Sequence, residues 1–188
     1  MAFVALYDAC VLYPAPFRDL LIHLARTDTF RARWTDRIHD EWIRSLQAKR
    51  PELTADRLAR TSQLMDRAVP DCLVTGYEDL EADLQLPDAD DRHVLAAAIC
   101  GRADVIVTYN LKDFPVDVLR PKGIEAQHPD EFVRHLLDLH PGAVLAAVRA
   151  QRESLKNPPR TARELLDTFQ ELGLVLTVAA LEQVIEGL

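Results

Sequence analysis

Acidic side chains follow two apolar segments of this chain, at positions where carboxylates could do chemistry. Asp8 interrupts the run VALYDACVLYP, while Asn110 and Asp113 follow an apolar segment in VTYNLKDF. A buried charge without a partner is costly, so a carboxylate in such a setting needs compensation. For Asp8 the simpler alternative is that it caps the next helix or turn. For Asp113 the alternative is neutralisation by the adjacent Lys112.

Two further carboxylates lie on predicted helices. Thr35 is a good N-cap for the helix TDRIHDEWIRSLQAKR, in which Glu41 borders an apolar stripe. A glutamate at such a border is also common without any function. In DRHVLAAAI, Asp91 precedes Val94 and Leu95 by three and four residues, so it projects from the inner face of the helix. Asp90 is then the predicted cap of that helix.

These acids are predicted to meet in one crevice. Parallel strands present their carboxyl ends at the same edge of a sheet, which is where open α/β sheets bind ligands. Four carboxylates gathered there repel one another unless a cation lies between them. Carboxylate and water ligands suit magnesium and manganese. The set therefore predicts a divalent metal site.

The elements that must position these residues form an alternating pattern. Apolar runs predict strands over 3–7, 72–76, 105–109 and 123–127, with helical spacing between them. This order is typical of an α/β fold around a mostly parallel sheet. Beyond about residue 128 the chain is predicted to be helical, with elements over 142–156, 161–172 and 177–187. We therefore predict a domain over 1–138 and a helical extension over 139–188, whose apolar faces require covering by the core, another copy or a partner.

Composition limits the class of protein. Of 188 residues, 48% are hydrophobic and 28% charged, as in a globular protein with a core. No segment is apolar over the roughly 20 residues that a membrane span requires. Three widely spaced cysteines without a CxxC pattern predict reduced thiols and a cytoplasmic location. The net charge of −8 argues against a nucleic-acid ligand, although it does not exclude a local basic patch.

The motifs together resemble the PIN-domain nucleases, in particular the VapC-type ribonuclease toxins of bacterial toxin–antitoxin pairs. The resemblance covers about residues 2–135 and rests on the strand before Asp8, on HDEWIRSL, on DDRHVLAAAI and on VTYNLKDF. It implies a three-layer α/β/α PIN-like sandwich, with the C-terminal helical extension found in one subgroup. It also implies an Mg²⁺- or Mn²⁺-dependent endoribonuclease that hydrolyses RNA with metal-activated water, an antitoxin partner and a homodimer.

Carried over residue by residue, the resemblance assigns catalytic and metal-binding roles. The implied acidic quartet is Asp8, Glu41, Asp91 and Asp113, with Asn110 as a further metal ligand. Many members have aspartate where Asn110 stands, so either Asn110 or Asp113 could be the direct ligand. A small polar residue usually occupies the position of Cys10, for which a packed thiol is the simpler interpretation.

Basic residues near these motifs are candidates for contact with RNA. They are Arg18, Arg44, Arg92 and Lys112, each of which could instead be an ordinary surface charge. His39 and His93 stand beside two of the acids, but solvated helix positions are the simpler expectation for both.

Two other functions remain open at this point. A PIN-like binding module without nuclease activity would retain the fold and use the helical tail for docking. A phosphohydrolase with Asp8 as the nucleophile would need a second aspartate two residues later, where Cys10 stands.

Overall fold

The structure, a computed structural model, describes residues 2–184 and 188. By its internal contacts the chain divides into two compact units. The first contains the chain up to Tyr13 together with Phe30–His128, and the second contains Pro14–Thr29 together with the chain from Pro129 onward. No helix in the described part of the chain is long and apolar enough to span a membrane.

The first unit is built on a parallel sheet, which confirms the predicted α/β class. Its strands are β1 (Val4–Tyr7), β2 (Arg31–Arg33), β3 (Val105–Val107) and β4 (Glu125–Gln127). Within the described residues the sheet has the order β2-β1-β3-β4, and every pairing is parallel. The two central strands, β1 and β3, are almost entirely apolar, as is usual for parallel strands that are buried on both faces. Their register, Tyr7 opposite Val107, brings the residues that follow them together.

Helices and short turns connect the strands of this unit. They are α1 (Ala9–Leu12), α3 (Asp36–Lys49), α4 (Ala55–Ala68), α5 (Arg92–Cys100), α6 (Val116–Leu119) and 3₁₀ turns over Glu78–Asp83, Ala89–Asp91, Leu111–Asp113 and Arg120–Lys122. Thr35 caps α3 as predicted, since its hydroxyl accepts a hydrogen bond of 3.0 Å from the Ile38 N–H.

The prediction of a strand over 72–76 is wrong. The segment 72–76 contributes only an isolated parallel bridge between Trp34 and Leu73, whereas the strand beside β1 is Arg31–Arg33. Two arginines flank one alanine in that strand, as is common at the edge of a sheet, and apolar content alone does not reveal it. The other three predicted strands are confirmed, with ends that differ by one or two residues.

The second unit is helical. Its helices are α2 (Ala15–Ala25), α7 (Pro129–Leu139), α8 (Pro141–Ser154), α9 (Ala162–Glu171) and α10 (Val175–Glu182). The three predicted tail helices are present, although residues 185–187 of the last prediction lie outside the described residues. Helix α2 packs on α8 and α9, and the Gln151 amide donates a hydrogen bond of 2.8 Å to the Pro16 carbonyl.

This packing groups residues differently from the predicted division at 138/139. The segment around α2 belongs with the C-terminal helices because its apolar face meets theirs, and α7 belongs there as well. The predicted extension therefore already has a partner for its apolar faces in α2, within its own unit. The boundary at 138/139 stays a prediction about domains.

A buried carboxylate orders the second unit. Asp130, in the first turn of α7, accepts hydrogen bonds of 2.8 Å from the N–H groups of Leu176 and Thr177. These are donors of the first turn of α10, which have no partner within that helix. A negative charge at the positive end of a helix stabilises it further. Asp130 thus joins the first and last helices of the C-terminal segment.

We expect Asp130→Ala to lower the free energy of unfolding by about 1–3 kcal/mol, because buried hydrogen-bonded donors lose a charged acceptor. Urea unfolding followed by circular dichroism measures the change. The matched control is Asp138→Ala on the same helix, which removes an exposed ion pair with Arg134 and should cost at most about 0.5 kcal/mol. Equal effects of the two substitutions would contradict the capping role.

Candidate functional site

A cleft of about 670 Å³ opens in the first unit, where the chain leaves β1 and β3. Its walls carry four of the five predicted metal-binding residues. They are Asp8, Glu41, Asp91 and Asn110. The exposed Asp90 also lines it, and part of α3 forms one side.

Asp8 is held rigidly at the base of this cleft. Its side chain accepts hydrogen bonds from the Thr108 hydroxyl (2.7 Å), the Cys10 thiol (3.1 Å) and the Ala9 N–H (2.7 Å). Burial nevertheless raises the pKa of Asp8, because lost hydration outweighs the effect of these donors and the charge on Glu41 adds to it. The predicted alternative of a cap is therefore also realised, since Asp8 caps α1 while it faces the cleft.

Cys10 is a hydrogen-bonding member of the site. Its sulfur accepts a hydrogen bond of 3.3 Å from the Tyr109 N–H and lies 3.4 Å from the Thr108 hydroxyl. Burial and the neighbouring Asp8 raise the pKa of the thiol, so it remains protonated and available as a donor to that carboxylate. Cys10 is therefore a packed thiol, as predicted, and its hydrogen bonds also connect the ends of β1 and β3.

Asp91 lies half-buried beside the other acids. Burial, with a smaller contribution from repulsion by Asp8, Asp88 and Asp113, raises its pKa to about 7. The expectation that Asp90 caps α5 is wrong: Asp88 accepts a hydrogen bond of 2.9 Å from the Asp90 N–H, and Asp91 occupies the N-cap position. The Asp91 carboxylate makes no capping hydrogen bond with α5.

Asn110 and Asp113, the two alternatives for the direct metal ligand after β3, occupy different positions. Asn110 lines the cleft, and its backbone N–H donates a hydrogen bond of 3.0 Å to the Thr108 hydroxyl. Asp113 follows in the 3₁₀ turn, close enough for its charge to raise the pKa of Asp91. Both residues therefore belong to the electrostatic environment of the cleft.

Glu41 contacts a buried histidine that was expected to be solvated. His93 is fully buried, and its Nε2 lies 2.7 Å from Glu41 Oε1, although the angle is not that of a hydrogen bond. Arg37 lies one helical turn before Glu41 and contacts the same oxygen at 3.9 Å. The signal for burial was the sequence HVLAAAI, which gives α5 no polar face to turn toward water.

A second buried histidine fixes α3 itself. The Trp42 indole donates to His39 Nδ1 at 3.0 Å, so Nε2 carries the ring proton and donates to Asp66 Oδ1 at 2.9 Å. The Trp34 indole donates to the same Asp66 oxygen at 2.8 Å. Since Asp66 lies on α4, this network joins α3 and α4 to Trp34, the residue after β2, and fixes the helix that carries Glu41. The expectation that His39 is solvated is therefore wrong.

The donor chemistry of the cleft fits a hard divalent cation. Its carboxylates, with the amide of Asn110, are oxygen ligands of the kind that Mg²⁺ and Mn²⁺ prefer. Burial and then repulsion between the carboxylates raise the pKa of Asp91, and a cation would relieve the repulsion. Among the described residues, however, no three His, Cys, Asp or Glu side chains are already arranged around a single metal position. Binding would require the carboxylates to converge.

The predicted RNA-binding residues have different surroundings. Arg44 is exposed on the wall of the cleft, and Lys112 is exposed on the turn that holds Asp113. Arg92 is half-buried, with its Nε shielded from solvent. Arg18 belongs to the second unit, and burial lowers its pKa to about 10. The four contacts with RNA stay predictions.

We expect His93→Leu to weaken Mn²⁺ binding by about 10- to 100-fold, the usual cost of losing the partner of a metal ligand. His93→Gln, which retains a distal N–H donor, should keep most of the affinity. Calorimetric titration measures both variants, and urea unfolding shows whether stability follows a different order. Unchanged Mn²⁺ affinity in His93→Leu would show that His93 only fills space.

We expect the metal-free protein to lose stability relative to Asp91→Asn as the pH rises from about 4 to 7. The pKa of Asp91 is near its ordinary value of 3.8 in the unfolded state but about 7 in the folded state, so the unfolded state releases its proton first as the pH rises. Urea unfolding in EDTA between pH 4 and 8 measures the difference. The control Asp90→Asn, at an exposed neighbour, should keep the wild-type pH dependence. A difference that does not vary with pH would contradict the raised pKa of Asp91.

Comparisons with known proteins agree with this architecture. The model of the PIN domain matches residues 4–112, and the model of the VapC50 C-terminal domain matches residues 129–183. A curated protein of Mycobacterium tuberculosis, named "Putative ribonuclease VapC50", is 42% identical over 119 residues, which cover 61% of this chain and 70% of that protein. No solved structure gives a significant match. The chain thus belongs to the PIN-domain family, as a VapC-type member with a VapC50-type C-terminal domain.

Proposed function

We propose that this protein is a metal-dependent endoribonuclease and the toxin of a type II toxin–antitoxin system. The observation that carries the proposal is that Asp8, Glu41 and Asp91 all line one cleft at the carboxyl ends of two parallel strands. The name of the Mycobacterium tuberculosis relative, a ribonuclease, supports the choice of substrate. The proposed reaction also requires a cation, for which the oxygen ligands of the cleft are suited.

In this proposal each acid has a distinct contribution. Asp8 is held by three hydrogen bonds and provides the most rigid ligand. Glu41 provides a ligand that contacts His93, and Asp91 provides one whose proton is displaced when a cation binds. Asp113 adds negative charge nearby, and Asn110 can offer a neutral carbonyl oxygen.

The cation would be Mg²⁺ or Mn²⁺, and it supplies the positive charge that activates water and stabilises the phosphate during hydrolysis. The chain's own residues hold the acids apart before binding and orient them. Because Asp91 retains a proton below about pH 7 in the metal-free protein, cation affinity is expected to rise with pH through that range. A nucleophilic side chain is not required for this chemistry, and the protonated thiol of Cys10 is unsuited to that role.

The remaining parts of the proposal concern partners and location. We propose RNA as the substrate, an antitoxin protein as the inhibitor, a homodimer as the assembly and the cytoplasm as the compartment. They follow from membership of the VapC type.

We expect the purified protein to cleave single-stranded RNA in Mg²⁺ or Mn²⁺ and not in EDTA. Asp8→Asn and Asp91→Asn should each lower the rate by at least about 100-fold, since loss of even an outer partner of a metal ligand costs 10- to 100-fold. Mapping of the new RNA ends, with cleavage rates from gels, measures this outcome.

The matched control is Asp79→Asn, at an exposed position in the turn Glu78–Asp83, which makes the same change in charge. It should cleave RNA at the wild-type rate. Cleavage that persists in both cleft variants, or in EDTA, would refute a metal site at these residues. Mn²⁺ binding without cleavage of any RNA would instead favour a PIN-like binding module.

A further inference from the structure

Two exposed cations on α3 face the same cleft as the acids. Arg44 and Lys49 line it together with Ser45, and all three follow Glu41 along the helix. The rise of 1.5 Å per residue places Lys49 about 12 Å beyond Glu41 along the helix axis, with Arg44 between them. We call Glu41, Arg44, Ser45 and Lys49 the α3 strip. It leads from the candidate metal ligands to the outer end of the cleft.

The cations of the α3 strip differ from their neighbours in lacking an acidic partner. Arg37, earlier on the helix, forms an ion pair with Glu81 at 3.0 Å. Arg50, just after the helix, pairs with Glu52 at 2.8 Å. Within the described part of the chain, neither Arg44 nor Lys49 forms an ion pair with a carboxylate. In a protein of net charge −8, two unpaired cations on the wall of a cleft indicate a binding surface for anions.

The position of Lys49 is supported by an aromatic ring. Its ammonium nitrogen lies 5.4 Å from the centroid of the Tyr13 ring, within the range of a cation–π interaction. Tyr13 also lines the cleft, so the contact holds the charge toward the cleft instead of letting it swing into bulk solvent. An ammonium placed in this way can bind a phosphate as a point charge.

We infer that the α3 strip is a track for one strand of single-stranded RNA, with phosphates on Arg44 and Lys49 that flank the phosphate undergoing cleavage. The inference rests on the proposed function and assigns the side of the cleft along which the substrate runs. Contacts with phosphates carry no sequence information, so the strip supplies affinity and position but not the choice of cleavage site.

The geometry favours a single strand over a duplex. The strip is one face of one helix, with unpaired cations in a row beside an aromatic ring, which is the combination found where proteins follow a single-stranded backbone. Recognition of an RNA duplex requires contacts spread over both strands and successive grooves. An acidic protein segment could also bind two cations, and the comparison of variants below distinguishes it from RNA.

The test compares Arg44→Gln/Lys49→Gln with Arg57→Gln/Arg60→Gln, a control on the exposed face of α4 that removes the same charge outside the cleft. Rates of cleavage of a single-stranded oligoribonucleotide are measured in Mn²⁺ across a series of salt concentrations. The α3 double variant should raise KM about tenfold or more and leave kcat and the cleavage site unchanged. Its salt dependence of kcat/KM should weaken by about 1.4 in slope, since each phosphate contact contributes roughly 0.7 for a single strand.

Two further variants examine the aromatic ring, and shorter substrates examine the order of the cations along the strip. Tyr13→Phe keeps the ring and should leave KM unchanged. Tyr13→Leu removes the ring that positions Lys49 and should raise KM, as Lys49→Gln does. Shortening the RNA toward a dinucleotide should abolish the effect of Lys49→Gln before that of Arg44→Gln, because Lys49 lies farther from the acids.

The outcomes separate this inference from the proposed function. If the wild type cleaves RNA and both double variants have the same KM and salt slope, the α3 strip is not the track and an acidic protein partner becomes the better occupant. If the wild type cleaves no RNA, the proposed function fails, and fluorescence anisotropy with labelled RNA then decides whether the strip binds a strand. Equal anisotropy for the α3 variant and the control would overturn the inference in that case as well.

Discussion

Repulsion between carboxylates is the constraint on which the rest of this structure depends. Asp8, Glu41 and Asp91 reach the same cleft from three different elements, and each added charge raises the cost of ionising the next. A flexible protein would relieve this repulsion by turning the side chains into solvent. This chain prevents that at Asp8 by burial, and at Asp91 it allows the proton to remain up to about pH 7. The fold therefore keeps these carboxylates close together, and binding of a cation would lower the electrostatic free energy of the site.

The surrounding residues supply the rigidity that such a site requires. The sheet is the first source, because the register of β1 and β3 fixes where Asp8 and Thr108 meet. The second source is a pair of buried histidines with different tasks: His93 contacts Glu41 directly, and His39 fixes the helix that carries it. Buried imidazole rings thus help to fix the carboxylates at the edge of the core, and desolvation of these rings is the cost.

The sequence was sufficient for the features that depend on local pattern and insufficient for those that depend on packing between distant segments. Three of the four predicted strands and the cap at Thr35 followed from periodicity and capping, and three of the four predicted acids line one cleft. The edge strand Arg31–Arg33 did not, because hydrogen bonds to β1 stabilise it and its side chains carry no apolar signal. The apolar sequence around His93 could have indicated its burial, but its contact with Glu41 depends on packing between distant helices. The grouping of α2 with the C-terminal helices is non-local in the same way.

The net charge of −8 illustrates why a global quantity is a poor guide to a ligand in this protein. Much of the acidity serves local purposes: Glu81 and Glu52 neutralise arginines on the surface, and Asp130 and Asp66 accept hydrogen bonds in the interior. What a ligand encounters is the remaining local field, which is negative at the inner end of the cleft and positive along its α3 wall. Under the proposed function a polyanion could occupy such a cleft only once the inner end is neutralised, so binding of a cation and binding of RNA would be thermodynamically linked. That linkage would restrict RNA binding to the metal-loaded protein, since the acids that hold the cation repel phosphate without it.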